Sequence, residues 1–261
     1  MSKTVVLIHG NFVSKRSWDP WVERYQARGY TCLAPGYPGR DGPVAELRRN
    51  PDPALMGSLT ITQVIEHLAD VIRGLPEKPI VVGHSFGGLL TQQMVKRDLA
   101  TAAVAISSVP PQGIIATAWP FYRSTWPVIN PLVPASRPYL MPFEHFQYAF
   151  VNDLPLAEQR AAWELDVVPE SRRLARGGLS AAARVDFTRP HAPLLLIGAE
   201  KDQIMPASVN RQNFRRYRQN GSVTEYKEFP GRGHYSIIGS KGWEEVADYA
   251  LDWAAKHSNG R

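Results

Sequence analysis

Three residues far apart in the chain, Ser85, Asp202 and His234, are of types that can do together what none does alone. Ser85 stands in Gly83-His84-Ser85-Phe86-Gly87, after the apolar run PIVV and before LLTQQMV. A serine hydroxyl is a poor nucleophile at neutral pH. It needs a base to take its proton, and the base needs a carboxylate to orient it. A buried strand, a serine between two glycines and then a helix is the context that projects Oγ above a sheet edge. Side chains at 83 and 87 would collide with the neighbouring strand and helix, so both are glycine.

Of the seven histidines, His234 alone lies on a glycine-rich loop, FPGRGHYS, between the last apolar strand and the last helix. Strand-end residues converge at that edge of a parallel sheet. The acid has two candidates in LLLIGAEKDQIMP, Glu200 and Asp202. Asp202 is preferred, because the extra loop length carries it away from the strand toward the histidine; Glu200 is the alternative. The loop after AAVAISS reads SSVPPQG and offers no acid. Attack on a carbonyl also needs N–H donors for the developing oxyanion. The candidates are the backbone N–H of Phe86, next to the serine, and that of Asn11 in IHGNFVS, with Phe12 second.

The elements that must position these residues alternate. TVVLIHG, TCLAPGY, PIVVGHS, AAVAISS, PLLLIGAE and VTEYKEFPG read as six strands, mostly apolar throughout, as strands covered on both faces are. Between them, LTITQVIEHLADVIRGL and GWEEVADYALDWAAKH carry apolar stripes at spacings of three and four. This predicts an α/β fold, a mostly parallel sheet of about six strands with helices on both faces. Residues 1–109 and 191–261 form the expected core domain, and 110–190, rich in Pro and aromatics, an inserted helical cap. Its run PLAEQRAAWELDVVPESRRLARGGLSAAARV reads as helical. From its aromatics, Trp119, Tyr122, Trp126 and Phe143, with Phe12 from the first loop, are the candidate substrate-binding residues. They suit an acyl chain, an aromatic ester or a hydrophobic lactone.

Composition bounds the rest. The chain has 261 residues and a net charge of +6. Its densest basic run, RQNFRRYRQN at 211–220, reads as a solvated helix face, and no nucleic-acid motif accompanies it. The single cysteine, Cys32, excludes an intramolecular disulfide and a cysteine metal cluster. The start, MSKTVVLIHGN, is too short in apolar residues for a secretion signal or a membrane span. A cytoplasmic protein without stable membrane insertion is expected.

VVLIHGN, VVGHSFGG, LLIGAEKDQIMP and FPGRGHYS, in this order, resemble the four signature segments of the α/β-hydrolase superfamily. The resemblance spans the chain and implies that fold, with the first two strands of its eight-stranded template missing. Ser85 departs from the Asp of haloalkane dehalogenases and epoxide hydrolases and from the Cys of dienelactone hydrolases. Plant hydroxynitrile lyases have Thr where this chain has Gly10 and Lys where it has Tyr235. The triad residues and the aromatic cap, taken with the resemblance, lead to the expectation of a serine hydrolase of small to medium hydrophobic esters, with no metal or organic cofactor and a small-molecule ester or lactone as partner. The alternatives are a lactonase, a C–C bond hydrolase that would need Arg123 or Arg137 pointing inward, and a hydrolase-like protein that only binds a small ligand.

Overall fold

The computed structural model describes residues 2–49, 51–217 and 221–258. Six strands form one sheet: β1 (Thr4–Ile8), β2 (Thr31–Leu33), β3 (Ile80–His84), β4 (Ala102–Ile106), β5 (Leu194–Ala199) and β6 (Thr224–Phe229). Their order is β2-β1-β3-β4-β5-β6, and every neighbouring pair is parallel. β1, β3, β4 and β5 are buried along their whole length, which is why, apart from Thr4 and His84 at strand ends, their sequences run apolar without alternation. The edge strand β6 keeps Glu, Lys and Tyr and is largely half-exposed.

Helices α1 (Asp19–Ala27), α2 (Val44–Arg49), α3 (Pro53–Ser58), α4 (Ile61–Arg73) and α5 (Phe86–Lys96) come before β4. A capping box opens α4: Thr60 accepts from the Gln63 N–H, and the Gln63 side chain accepts from the Thr60 N–H. Its stripe of Ile61, Val64, Ile65, Leu68 and Ile72 packs with α5 on one face of the sheet. The opposite face is covered by Trp18, Trp21 and Tyr25 together with the C-terminal helix α12 (Trp243–His257), after α10 (Ala207–Tyr217) and α11 (Ser236–Gly239). The basic run lies on α10 as far as Tyr217, with Arg211, Arg215 and Arg216 exposed; residues 218–220 lie outside the described residues.

The segment between β4 and β5 carries α6 (Trp119–Ile129), α7 (Phe143–Ala149), α8 (Leu156–Asp166) and α9 (Arg172–Gly177). It shares an apolar cluster with Phe12, Ile204 and Met205. The stretch read as one helical run is broken: Val167 to Glu170 is extended and forms antiparallel bridges, Val167 with Val13 and Glu170 with Tyr139. Pro169 accounts for the break, since a proline denies the preceding residue the helical region and supplies no N–H.

From β1 the chain runs to one side of the sheet and from β3 to the other, so the loops after β1 and β3 part and leave a crevice between them. Asn11 follows the first and Ser85 the second. Among the described residues no helix is long and apolar enough to cross a membrane.

Candidate active site

Ser85 occupies the turn between β3 and α5 with φ 58° and ψ −119°, a conformation a non-glycine residue adopts only when its surroundings hold it there. They do. Its N–H donates to Ile106 O at 2.9 Å, and its carbonyl accepts from Gly88 N and Val109 N. A Cβ at Gly87 would lie 2.1 Å from Ile8 O, and one at Gly83 would lie 2.2 Å from Gly87 O. A Cβ at Gly10 would meet Ser85 Cβ at 2.9 Å, so the first loop lies directly against the serine.

His234 follows β6. Its Nδ1 lies 2.7 Å from Asp202 Oδ2, with both side chains fully buried. The carboxylate only accepts, so Nδ1 carries the proton and Nε2 has a free lone pair. Nε2 is buried without a hydrogen-bond partner. Asp202 Oδ1 accepts from Ile204 N at 3.0 Å and Met205 N at 2.7 Å, which fixes the carboxylate as well as the ring. Glu200, by contrast, is exposed and accepts from Gly231 N at 2.7 Å, so it braces the histidine loop instead of the imidazole.

His84 Nε2 donates to the His234 carbonyl at 2.8 Å, tying the histidine loop to the residue before Ser85. Phe150 lies edge-on to the His234 ring at 4.7 Å. Asp153 accepts from Gly233 N at 2.8 Å and from the Ser236 hydroxyl. Two other buried histidines stand nearby, without a carboxylate on the ring. Burial above all, with the electrostatic interaction with the neighbouring His234 ring second, lowers His84 well below the usual histidine range. Burial, then the Arg40 charge, lowers His9 to about 3.

The Phe86 N–H is the first of α5, where it has no partner within the helix and the helix dipole is positive. The Asn11 N–H donates no hydrogen bond among the described residues. The Phe12 N–H is engaged, donating to Glu170 Oε2 at 3.1 Å. Asn11 and Phe86 therefore keep their donors available, and Phe12 does not.

A narrow cavity of about 60 Å³ opens on Ser85. Asn11, Phe12 and Phe86 line it together with Phe121, Thr125 and Val128 of α6 and with Ile204 and Met205. Of the expected substrate-binding residues, only Phe12 is in this lining. Trp119, Tyr122 and Trp126 are 72%, 42% and 53% exposed, on the outer face of α6. Phe143 packs edge-on against Trp163 at 6.3 Å, outside the lining. Positions 121, 125 and 128, offset along the same helix, face inward. Both faces of α6 are apolar, so periodicity could not choose between them. Arg123 lies over the Tyr148 ring at 3.9 Å and Arg137 is exposed, so neither reaches the cavity. Among the described residues, no group of three or more His, Cys, Asp or Glu is arranged to hold a metal ion.

The Alpha/beta hydrolase family model matches residues 5–249. The chain belongs to this family. Among curated protein sequences, none matches it. Many solved structures share the fold of this alpha/beta hydrolase, among them the following three. Polyneuridine aldehyde esterase is 16% identical with a TM-score of 0.70, over 97% of this chain and 99% of that one. The pyrethroid hydrolase of Sphingobium faniae JZ-2 is 19% identical with a TM-score of 0.70, over 98% of each chain. The monoacylglycerol lipase of Paleococcus ferrophilus is 19% identical with a TM-score of 0.68, over 97% of this chain and 94% of that one.

Two residues of this alpha/beta hydrolase that brace the site escaped the sequence reading. Asp153 and Glu170 both lie in the β4–β5 segment and bond to loops far away in the chain. Pro169 was the one signal near them.

Proposed function

We propose that the protein is a serine hydrolase of small to medium hydrophobic carboxylic esters, acting through Ser85, His234 and Asp202. The observation that carries this reading is the buried His234–Asp202 pair, which leaves Nε2 as a lone base on a loop tied to the strand end bearing the strained Ser85. His234 Nε2 takes the Ser85 proton as Oγ attacks the acyl carbon. The Asn11 and Phe86 N–H groups receive the oxyanion, each contributing about 10²- to 10³-fold to kcat. The imidazolium, stabilised by Asp202, then gives its proton to the leaving alcohol. A water activated by the same nitrogen attacks the acyl-enzyme, and the acid departs.

In this account residues 110–190 act as a cap. Phe121, Thr125 and Val128 roof the acyl group and exclude water. The small volume favours short acyl chains. The structural relatives, an esterase, a pyrethroid hydrolase and a lipase by name, are in keeping with an ester substrate. A C–C hydrolase that recognises a carboxylate is disfavoured, because neither Arg123 nor Arg137 lines the cavity.

The test is hydrolysis of p-nitrophenyl esters from acetate to long acyl chains, with Ser85→Ala beside the wild type. Turnover of short esters, lost in Ser85→Ala, supports the reading. A folded wild type that turns over no ester refutes it.

A further inference from the structure

Phe12 has φ 69°, in the left-handed region that bulky side chains avoid. Such a residue persists only where neighbours hold it. Both of its backbone groups are held by the stretch between α8 and α9. Its carbonyl accepts from Val168 N at 2.8 Å, and its N–H donates to Glu170 Oε2 at 3.1 Å. The Val13–Val167 bridge adds a third tie.

Glu170 is fully buried, and its other oxygen accepts from Ser171 N at 2.8 Å. It is paired with Arg40, itself 1% exposed, at 2.5 Å. Arg40 lies beside Tyr37, whose hydroxyl donates to the His9 carbonyl at 2.5 Å, one residue before Gly10. Glu170 therefore holds the backbone after Asn11, at Phe12, and the Tyr37 hydroxyl holds it before Gly10, at His9, with Arg40 between the two. A buried ion pair is weak evidence for stability, since apolar residues of similar volume serve as well or better. Its use here is directional. The peptide unit between Asn11 and Phe12 is turned so that its N–H points at Glu170, and one peptide back the Asn11 N–H has no hydrogen-bond partner among the described residues.

We propose that Glu170, held in place by Arg40, is the positioning residue of the oxyanion loop, acting through Phe12 to present the Asn11 N–H. This rests on the hydrolase reading above. It also ties the loop to the segment that roofs the cavity, so cavity and oxyanion donor share one fixture.

Removing Glu170 alone would strand the Arg40 charge and threaten folding. The informative variant is the double Arg40→Leu/Glu170→Leu, which leaves an apolar site. Circular dichroism and melting check its fold. With p-nitrophenyl acetate, kcat is expected to fall at least tenfold while KM stays within about threefold, because a misplaced donor is felt in the transition state. Arg40→Leu/Glu170→Gln returns an uncharged acceptor for the Phe12 N–H and should recover most of the lost kcat. A folded Leu/Leu variant with wild-type kcat, or a loss confined to KM, overturns the proposal. So does a Gln variant no better than the Leu one. If the wild type hydrolyses no ester, the hydrolase reading is what fails. A crystal structure of the Leu/Leu variant then decides the positioning claim. Phe12 leaving its left-handed conformation upholds it, and Phe12 unmoved refutes it.

Discussion

Asp202 and His234 lie 32 residues apart and meet in a 2.7 Å hydrogen bond with no solvent access to either side chain. The carboxylate dictates which imidazole nitrogen carries the proton. Asp202→Asn keeps the shape and presents the wrong partner, so kcat should fall by about 10⁴-fold with KM little changed. Glu200→Gln, at the exposed neighbour, should stay within about threefold of wild type. Steady-state kinetics on a short ester measure both. If Glu200→Gln is the damaging one, the acid has been misassigned.

Gly10 tests how closely the first loop approaches the serine. An added Cβ would lie 2.9 Å from Ser85 Cβ and 3.4 Å from Oγ. Gly10→Ala should therefore fold and lose at least tenfold in kcat, through displacement of the loop or of Oγ. Gly87→Ala meets the backbone carbonyl of Ile8 at 2.1 Å and should fail to fold. Soluble yield, melting and ester turnover separate the two. A fully active Gly10→Ala would contradict the packing described.

The inward and outward faces of α6 should behave differently. Val128→Ala enlarges the roof of the cavity and should move the acyl-chain optimum up by one or two carbons. Trp119→Ser and Trp126→Ser lie outside and should leave kcat/KM for short esters within about twofold. A p-nitrophenyl ester series reads this directly. A large loss in Trp126→Ser would place that residue over the substrate after all.

His9 predicts a pH effect on stability. It stays neutral in the folded protein down to about 3, whereas an ordinary histidine takes its proton near 6.5. Below 6.5 the unfolded chain therefore binds a proton that the folded one refuses. Stability falls as pH drops from 6.5 toward 3 and is independent of His9 above that range. Each pH unit is worth about 1.4 kcal/mol. His84 acts in the same direction. Urea unfolding at pH 7.5 and pH 5.5 should show a smaller difference in His9→Asn than in wild type, by about 1.4 kcal/mol. An unchanged difference would mean that His9 titrates normally.

The parts of the molecule that were legible in the sequence are those governed by local pattern. β1, β3, β4 and β5 are buried on both faces, and their residues are apolar without alternation. The glycines around Ser85 announce the turn. Both acids after β5 were visible, and two ångström-scale facts separate them: one is buried on the imidazole, the other exposed under the loop. The roof of the cavity was not legible, because α6 is apolar on both faces and its largest aromatics point outward. Arg40 and Glu170 were not legible either. They are 130 positions apart, and a lone arginine in PGRDGP reads as a solvated loop residue until the fold places a carboxylate on it.

The central claim is that Ser85 forms a covalent acyl-enzyme, and rapid mixing with p-nitrophenyl acetate tests it most directly. The account predicts p-nitrophenol release in a burst approaching one per protein molecule when deacylation is the slower step. It also predicts acid-quenched protein carrying one acetyl group, mapped to the Ser85 peptide, with neither signal in Ser85→Ala. Turnover with no acyl group on Ser85, or turnover that survives in folded Ser85→Ala, would contradict it.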